Sequence, residues 1–440
     1  MPLKLDIRQP DFTLAFKQFL TMRESGEQQV SSVVADIIAQ VKNGGNKALL
    51  ALTQKFDRFE ATAATILVTP QEIAHALSLC SPELMRSLKA AAARIYSYSE
   101  KQLPQDLDYT DAEGVRLGHR WTALESVGLY VPGGTASYPS SVLMNAMPAK
   151  VAGVGRLVIM VPAPDGKLNP ALLAAAHVAG VDEIYKIGGA QAVAALVYGT
   201  ETILPVDKIV GPGNAYVAEA KRQVFGKVGI DMIAGPSEIL VIADNKNNPA
   251  WIAADLLSQA EHDVLAQSVL ITDDGKFADA VCAQIEEMLK TLPRREIAEK
   301  SWQRFGAVIL VENMEQACAI SNTIAPEHLE LAVENPESLL SIIAHAGAIF
   351  LGRYTPEAIG DYVAGPSHVL PTSRTARFSS GLSVFDFLKR TSLIGCTPDA
   401  LAKIGEYAEV LAQTEGLDAH GLSVSIRKKP SSYAKASEDR

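Results

Sequence analysis

The first quarter of the chain carries apolar residues at helical spacing. In VSSVVADIIAQVKNGG the apolar positions form one stripe, and the pair Gly44 and Gly45 is expected to end the helix. In CSPELMRSLKAAAARIYSYSEKQLP, Ser81 is a suitable N-cap and Pro82 suits the first turn, so a long helix is predicted to about Leu103. The N-terminal region is therefore predicted to be helical.

From about Val127 the pattern changes to short apolar runs that alternate with helices. VGLYVPGG, RLVIMVPAP, EIYKIGGA and DKIVGPGN are predicted strands, and the alternation resumes with EILVIAD, QSVLITDD, AVILVEN and GAIFLG. Alternation at this spacing predicts parallel sheets with helices on both faces. There are enough strands for two such units, with a boundary near GPSE, Gly235 to Glu238.

The alternation ends after about Ser379. GLSVFDFLKRTSLIG and the segment that starts at Pro398 are predicted helices of a small C-terminal appendage. The last stretch, KPSSYAKASEDR, is polar and is predicted to be disordered.

Composition narrows the class of protein. A chain of 440 residues, 48% apolar and 20% charged, is typical of a globular protein with two or more domains. The net charge of -10, with no basic block, argues against a nucleic-acid partner. No apolar signal segment is seen at the start, and the longest apolar run is too short to span a membrane. Four scattered cysteines without a CxxC pair favour a reducing cytoplasm over a disulfide framework.

Three glycine-rich loops each follow a predicted strand and open a helix: YVPGGTASYPSS, IGGAQAV and VGPGNAYVAEAK. Free N–H groups at a helix start bind anions, and ligands of open parallel sheets lie at the carboxyl ends of the strands. One such loop alone indicates only a tight turn, but three in succession favour a nucleotide. None is a GxGxxG fingerprint, since Tyr216 stands at the sixth position of GPGNAY, and no P-loop occurs.

Four histidines lie near acids or amides. In WIAADLLSQAEHD, Gln259 and His262 are three residues apart, which places them on one face if the helix continues. Imidazole nitrogen and carboxylate or amide oxygen are zinc ligands. Each histidine alone is better explained as a surface or capped residue; together they favour a metal site. The candidate ligands are Gln259, His262, Asp361, His368 and His420.

The segment APEHLEL places Glu327 beside His328, and adjacent residues do not face each other on a helix. Pro326 suits a helix start. A carboxylate and an imidazole near one substrate divide proton transfers between them. A first-turn glutamate favoured by the helix dipole explains the sequence equally well, and both interpretations stay open.

The longer motifs resemble the histidinol dehydrogenase family. They are VGPGNAYVAEAKRQVFGKVGIDMIAGPSEILVIAD, DLLSQAEHD, APEHLEL, GDYVAGPSHVLPT and EGLDAH, in family order between about Asp6 and Arg427. The resemblance implies a cytoplasmic enzyme of histidine biosynthesis that oxidises L-histidinol through histidinal to L-histidine. It also implies two NAD+ per turnover, one zinc ion per subunit, and a homodimer whose active site is shared between subunits.

The resemblance also implies roles for individual residues. The expected zinc ligands are Gln259, His262 and Asp361, with His420 supplied by the other subunit. Glu327 and His328 are the expected acid/base pair. Substrate contacts are expected from Ser237, His368 and Glu415, together with His328 and the zinc ligands. Tyr130, Gln191 and Asn214, one in each glycine-rich loop, are the expected NAD contacts.

The fold implied by the resemblance consists of two incomplete Rossmann-like domains with small N- and C-terminal helical pieces that exchange between subunits. The expected division is an arm at 1–26, a discontinuous first domain at 27–127 plus 238–379, a second domain at 128–237, an appendage at 380–428 and a tail at 429–440.

Three other classes of protein are weighed against this one. A zinc hydrolase uses the same ligand types but binds no dinucleotide, and a non-catalytic metal scaffold gives no turnover. An aldehyde dehydrogenase needs a nucleophilic cysteine. Cys282 and Cys318 fall within predicted helices, which is a poor place for an attacking thiol.

Overall fold

A computed structural model describes residues 2–22, 28–133, 138–181 and 183–428. The predicted disordered tail, 429–440, and residues 134–137 of the first glycine-rich loop lie outside the described residues.

The chain alternates helices and strands over most of its length. The strands are β1 (Leu3–Asp6), β2 (Leu107–Thr110), β3 (Arg116–Ala123), β4 (Ser126–Tyr130), β5 (Arg156–Met160), β6 (Glu183–Tyr185), β7 (Lys208–Val210), β8 (Gly229–Ile230), β9 (Glu238–Ala243), β10 (Gln267–Thr272), β11 (Ala307–Leu310), β12 (His328–Ala332), β13 (Ala348–Leu351) and β14 (Leu388–Gly395). The helices are α1 (Phe12–Thr21), α2 (Gln28–Asp57), α3 (Pro70–Leu79), α4 (Pro82–Glu100), α5 (Pro139–Ala152), α6 (Pro170–Val178), α7 (Gly189–Tyr198), α8 (Ala215–Val224), α9 (Pro249–Ala260), α10 (Gly275–Leu289), α11 (Arg295–Phe305), α12 (Met314–Ile324), α13 (Glu337–Leu340), α14 (Glu357–Tyr362), α15 (Pro398–Thr414) and α16 (Asp418–Ser425).

The larger sheet has six strands in the order β1-β11-β10-β9-β12-β13, and every pairing in it is parallel. Successive side chains of a strand point to opposite faces of the sheet, so strands made of consecutive apolar residues are apolar on both faces. Ile239 and Val241 pack with α9, α10 and α11, whereas Leu240 and Ile242 pack with α1 and α12. This sandwich forms one buried core on each side of the sheet.

The smaller parallel sheet has five strands in the order β6-β5-β4-β7-β8. Leu129 and Ile159 face α3, α4, α5 and α6, and Tyr130 and Met160 face α2, α7 and α8. Helices α2, α3 and α4 therefore pack on the five-stranded sheet. The expected grouping of residues 27–127 with 238–379 as one domain stays a prediction.

The structure confirms the predicted α/β class with two parallel sheets. Ser81 caps α4 as predicted, since its hydroxyl accepts a hydrogen bond from the Leu84 amide at 3.1 Å. The predicted stop at Gly44 and Gly45 is only a kink. Gly45 leaves the helical region, with φ 51° and ψ -137°, and a second helical segment follows at once.

Among the described residues, 103–123 and 388–428 form a second compact unit. Its three-stranded sheet, β14-β3-β2, is antiparallel, and α15 and α16 belong to the same unit. The helix predicted for GLSVFDFLKRTSLIG is wrong: a short 3-10 helix, Val384–Phe387, leads into strand β14. The backbone of β14 pairs with β3, a partner far away in sequence that local periodicity does not reveal.

The N-terminal arm is also not purely helical. Strand β1 pairs in parallel with β11 and forms one edge of the six-stranded sheet, and α1 follows it. Among the helices that the structure describes, none combines the length and the hydrophobicity needed to cross a bilayer.

Candidate active site

The site is centred on His328, the first residue of β12. The option that Pro326 starts a helix is excluded, because Glu327 directly precedes a strand. The Nδ1 atom of His328 lies 2.9 Å from the carbonyl oxygen of Glu238 on the neighbouring strand β9. A carbonyl only accepts hydrogen bonds, so Nδ1 carries the hydrogen, and the neutral ring has its free lone pair on Nε2.

The Nε2 atom of His328 faces two carboxylates. It lies 3.8 Å from Oε1 of Glu357 and 3.9 Å from Oδ1 of Asp361, and among the described residues it has no hydrogen-bond partner. Burial lowers the pKa of His328, so the ring is neutral in its resting state. A neutral imidazole with a free lone pair is either a general base or a metal ligand. The ligand atoms of these three residues lie within 4.8 Å of one another, a group that could hold a metal ion.

Glu327 is fixed by the same neighbour. Its Oε2 accepts a hydrogen bond from the Glu238 amide at 2.8 Å and lies 3.6 Å from Nδ1 of His328. Burial raises the pKa of Glu327 well above its usual range. The N–H and C=O of one residue, Glu238, thus hold both members of the expected acid/base pair. Since Glu238 and His328 begin their strands, this pair lies at the amino edge of the six-stranded sheet.

Helix α14 supplies the two carboxylates, four residues apart and on one face. Glu330, two residues after His328 on β12, accepts a hydrogen bond from the Glu357 amide at 2.6 Å. The Ser258 hydroxyl donates to Oε2 of Glu357 at 3.1 Å. Burial raises the pKa of both Glu330 and Glu357 well above the usual range. Sequence reasoning missed both glutamates, and the only signal was spacing: two from His328 on a strand and four from Asp361 on a helix.

His368 links this cluster to the five-stranded sheet. Its Nδ1 donates to the carbonyl oxygen of Asp361 at 3.1 Å, so its Nε2 accepts from the Ser141 hydroxyl, also at 3.1 Å. Ser141 lies in the first turn of α5, directly after the first glycine-rich loop. Burial lowers the pKa of His368. Ser237 is half-buried just before β9, and its carbonyl accepts from the Gln267 amide at 3.0 Å.

His262 lies just beyond the helix that carries Gln259, so the expectation that both residues lie on one face stays a prediction. Helix α9 ends at Ala260, and His262 lies in the turn beyond it, where its amide donates to the Gln259 carbonyl at 3.1 Å. The ring of His262 is close enough to His328 and His368 to contribute, after burial, to the lowered pKa of both. Gln259 directly follows Ser258, whose hydroxyl binds Glu357. The structure therefore brings His262 towards the cluster from the end of α9.

The amide of Gln259 is the observation that tests for a metal. The residue is fully buried, yet neither its Oε1 nor its Nε2 has a hydrogen-bond partner among the described residues. A buried polar group left unpaired costs about 1–3 kcal/mol. Oε1 of Glu357 and Nε2 of His328 are unpaired in the same way within the described chain. Amide oxygen, carboxylate oxygen and imidazole nitrogen are a donor set that suits a divalent cation.

The geometric group of His328, Glu357 and Asp361 differs from the expected zinc ligands and shares only Asp361 with them. The other expected partners, Glu415 and His420, lie in the second unit, at the C-terminus of α15 and in α16, and both are exposed. Their role in the site, and that of Gln259 and His262 as ligands, stay predictions.

Of the three expected NAD contacts, Tyr130 is the last residue of β4, and Gln191 and Asn214 follow β6 and β7. All three lie towards the carboxyl edge of the five-stranded sheet, where open α/β sheets bind ligands. The phenol oxygen of Tyr130 accepts a hydrogen bond from the Gly189 amide at 3.0 Å, and burial raises its pKa. Gln191 is buried in the first turn of α7. Asn214 caps α8 by accepting from the amides of Tyr216 and Val217. Their contact with a nucleotide stays a prediction.

Comparison with known proteins gives a consistent result. The histidinol dehydrogenase family model matches residues 20–428. Histidinol dehydrogenase of Ruegeria pomeroyi is 62% identical over 97% of this chain and 99% of its own, and that of Rhodospirillum rubrum is 60% identical over 97% and 99%. The crystal structure of histidinol dehydrogenase from Elizabethkingia anophelis matches with a TM-score of 0.92 and 38% identity, covering 97% of this chain and 98% of that one. The family model spans most of the chain and the relatives match nearly full length, so the chain belongs to the histidinol dehydrogenase family.

Proposed function

We propose that the protein is an NAD-dependent histidinol dehydrogenase that carries out the last step of histidine biosynthesis. It oxidises the alcohol of L-histidinol to the aldehyde histidinal, and the hydrated aldehyde to the carboxylate of L-histidine. Each oxidation passes one hydride to one NAD+, so a turnover consumes two NAD+ and one water and moves four electrons. The free thiols of all four cysteines support a cytoplasmic location.

The observation that carries the proposal is the state of His328. Its Nδ1 hydrogen is committed to the Glu238 carbonyl, and burial lowers its pKa, so Nε2 is a free base in a buried site. Removal of hydride from an alcohol carbon needs a base for the hydroxyl proton. We assign that role to Nε2 of His328 in both oxidations. The family membership supports the assignment, because it makes an alcohol the substrate.

Glu327 is proposed to carry out the other proton transfer, from the water that adds to the aldehyde. The aldehyde must add water before a second hydride can leave, and a carboxylate whose pKa is raised by burial is a stronger base for water than an ordinary one. We propose that Glu327 removes the proton from that water. The Glu238 amide holds the carboxylate in place throughout, so the water-activating group is positioned before substrate arrives.

The donor set described above fits the zinc ion that the family implies. We propose that Gln259, His262 and Asp361 hold it, with His420 of the partner subunit as the fourth ligand. When bound, the ion supplies a positive charge that grips and orients the amine and imidazole of histidinol. Ser237, His368 and Glu415 are proposed substrate contacts. His368 is held by Ser141 on one side and by the Asp361 carbonyl on the other, so its ring orientation is set in advance.

The dinucleotide is proposed to lie on the three glycine-rich loops, contacted by Tyr130, Gln191 and Asn214. The bond between His368 and Ser141 supports this placement, because Ser141 directly follows the first of these loops. Substrate at His368 is thereby brought next to the nucleotide edge of the five-stranded sheet. The protein's contribution to hydride transfer is this orientation, since the redox chemistry belongs to the nicotinamide.

The geometry disfavours an aldehyde dehydrogenase that attacks through cysteine. Cys282 and Cys318 lie in α10 and α12, and burial raises the pKa of both thiols. A nucleophilic thiol requires the opposite shift.

The test is a spectrophotometric assay of the purified protein with zinc, NAD+ and L-histidinol. We expect NADH to form only when histidinol is present, with two NADH for each histidine produced. Histidinol consumption without NADH would indicate a hydrolase or another zinc enzyme. Zinc binding without any turnover would indicate a metal-binding scaffold.

A further inference from the structure

The third glycine-rich loop, residues 211–214, rests on a buried ion pair. Lys221 of α8 and Asp231, just after β8, form a salt bridge in which both side chains are nearly inaccessible to solvent, at 2% and 0% exposure. Lysine is rarely buried to this extent. Burying an ion pair brings a desolvation cost that an apolar pair of similar volume avoids, so such a pair is weak evidence for a role in stability. Its other contacts therefore decide what it does.

The pair holds both backbone groups of one residue, Gly211. Oδ2 of Asp231 accepts a hydrogen bond from the Gly211 amide at 2.7 Å, and Nζ of Lys221 donates to the Gly211 carbonyl at 3.0 Å. Hydrogen bonds to ionised groups are stronger and better oriented than neutral ones. The plane of the peptide groups on either side of Gly211 is fixed from two directions.

Gly211 lies where only glycine fits. Its φ is +107°, and a Cβ atom built there would lie 2.1 Å from the carbonyl oxygen of Tyr130. The loop therefore packs directly on the end of β4. The phenol of Tyr130 in turn binds the Gly189 amide in the second loop. The ion pair, Gly211, Tyr130 and Gly189 form one chain of contacts that joins the three loops proposed to bind the dinucleotide.

We propose that the Lys221–Asp231 pair is a positioning device for the dinucleotide. By holding the N–H and C=O of Gly211, it sets where Asn214 and the start of α8 lie relative to Tyr130, and so it determines affinity for NAD rather than the rate of hydride transfer. The inference rests on the proposed function of the three loops. Neither side chain touches the reacting atoms.

The test uses variants that leave no unpaired buried charge. Lys221→Met with Asp231→Leu removes both anchors. We expect the dissociation constant for NADH, measured by fluorescence titration of the zinc-loaded protein, to rise about tenfold or more through the loss of two charge-assisted hydrogen bonds. The KM for NAD+ should rise in parallel, whereas kcat at saturating NAD+ and the KM for L-histidinol should stay within about twofold of wild type. Hydrogen exchange should increase in the peptide that spans residues 207–217.

A second variant provides the rescue. Lys221→Met with Asp231→Asn also lacks both charges, but the Asn side-chain oxygen still accepts from the Gly211 amide. We expect NADH affinity between those of wild type and of the Met/Leu variant.

The control is a pair at the opposite edge of the same sheet. Arg156 and Glu183 begin β5 and β6 and form a two-pronged salt bridge at 2.7 and 2.8 Å. Arg156→Met with Glu183→Leu should lower the melting temperature but leave NADH affinity unchanged. If the Lys221–Asp231 variants behave like this control, the inference is overturned. A wild-type protein that makes no NADH from histidinol would instead refute the proposed function.

Discussion

His328 donates its Nδ1 hydrogen to the carbonyl oxygen of Glu238, 2.9 Å away on the adjacent strand. This single bond selects the tautomer and aims the basic nitrogen at Asp361 and Glu357. It is a contact between two parallel strands, so the ring is held by the sheet rather than by a loop.

The first prediction concerns a substitution that removes the basic nitrogen of His328 but keeps a hydrogen bond to the Glu238 carbonyl. In His328→Asn the side-chain amide still reaches towards the Glu238 carbonyl but offers no basic nitrogen. We expect kcat to fall about 10²–10⁴-fold, as for loss of a general base, with little change in the KM for NAD+. His345→Asn is the control, because His345 is outside the site and is held through its backbone by Asn322. The steady-state assay for NADH formation measures both; an active His328→Asn protein would remove His328 from the chemistry.

The second prediction separates the two oxidations. Glu327→Gln keeps an oxygen that accepts from the Glu238 amide, so the fold is expected to be unchanged. It loses the basic carboxylate, so oxidation of histidinal, which needs water, should fall much further than oxidation of histidinol. Single-turnover measurements with each substrate give the two rates. Equal losses in both steps would contradict the water-activating role.

The third prediction concerns Glu330, which was not anticipated from the sequence. Its carboxylate accepts from the Glu357 amide at the start of α14, the helix that also carries Asp361. Glu330→Ala leaves that buried amide unpaired and is expected to cost about 1–3 kcal/mol of unfolding free energy. It should also lower activity, because α14 shifts.

Glu330→Gln is the matched control for that variant. It retains an oxygen for the amide and should keep most of the activity. Chemical denaturation and the NADH assay test both. If Gln and Ala lose activity equally, the negative charge of Glu330 matters rather than its bond to Glu357.

The sequence predicted those helices and strands whose signals lie within a single short segment of the chain. Helix α4 has its cap at Ser81, and the buried strands appear as uninterrupted apolar runs such as EILVIAD. Both signals lie within one element, so neither needs knowledge of the partner. Strand β14 was missed because its hydrogen bonds go to β3, more than 250 residues earlier in the chain.

The candidate site shows the same division between residues that local sequence indicates and residues that only contacts with distant segments reveal. Asp361, His328 and His368 were predicted candidates, and the structure brings them together. Glu357 was not a candidate, and a glutamate at the start of a short helix is by itself no sign of a site, because the helix dipole favours it there. Only its burial, against β12 and α9, shows that it belongs to the cluster. The sequence left open whether α9 continues to His262, because no glycine or proline marks its end at Ala260.

The fourth prediction concerns the unpaired amide of Gln259. The effect of replacing this residue on thermal stability should change sign when metal is bound. In metal-free protein, Gln259→Leu replaces a buried, unpaired polar group by an apolar one of similar size, so thermal stability should stay equal or rise by about 1 kcal/mol. With zinc present, the wild type should gain stability through binding and the variant should gain much less. Thermal unfolding of both proteins in chelator and in excess zinc gives the four values needed. A variant destabilised equally in both conditions would show that Gln259 has a protein partner instead of a metal.

The fifth prediction tests whether the active site is shared between subunits. His420 lies on the exposed helix α16 and is the proposed fourth ligand across the subunit boundary. Inactive His328→Asn and His420→Asn proteins, mixed and allowed to exchange subunits, should form hybrid dimers with one intact site each. In a random mixture, half of the dimers are hybrids, so about a quarter of the wild-type activity should return. A mixture of His328→Asn with Glu327→Gln is the control and should show no activity beyond that of the two separate proteins, because His328 and Glu327 of each site come from the same chain. With exchange confirmed by mass spectrometry, no recovery in the first mixture would mean that His420 serves its own chain or none.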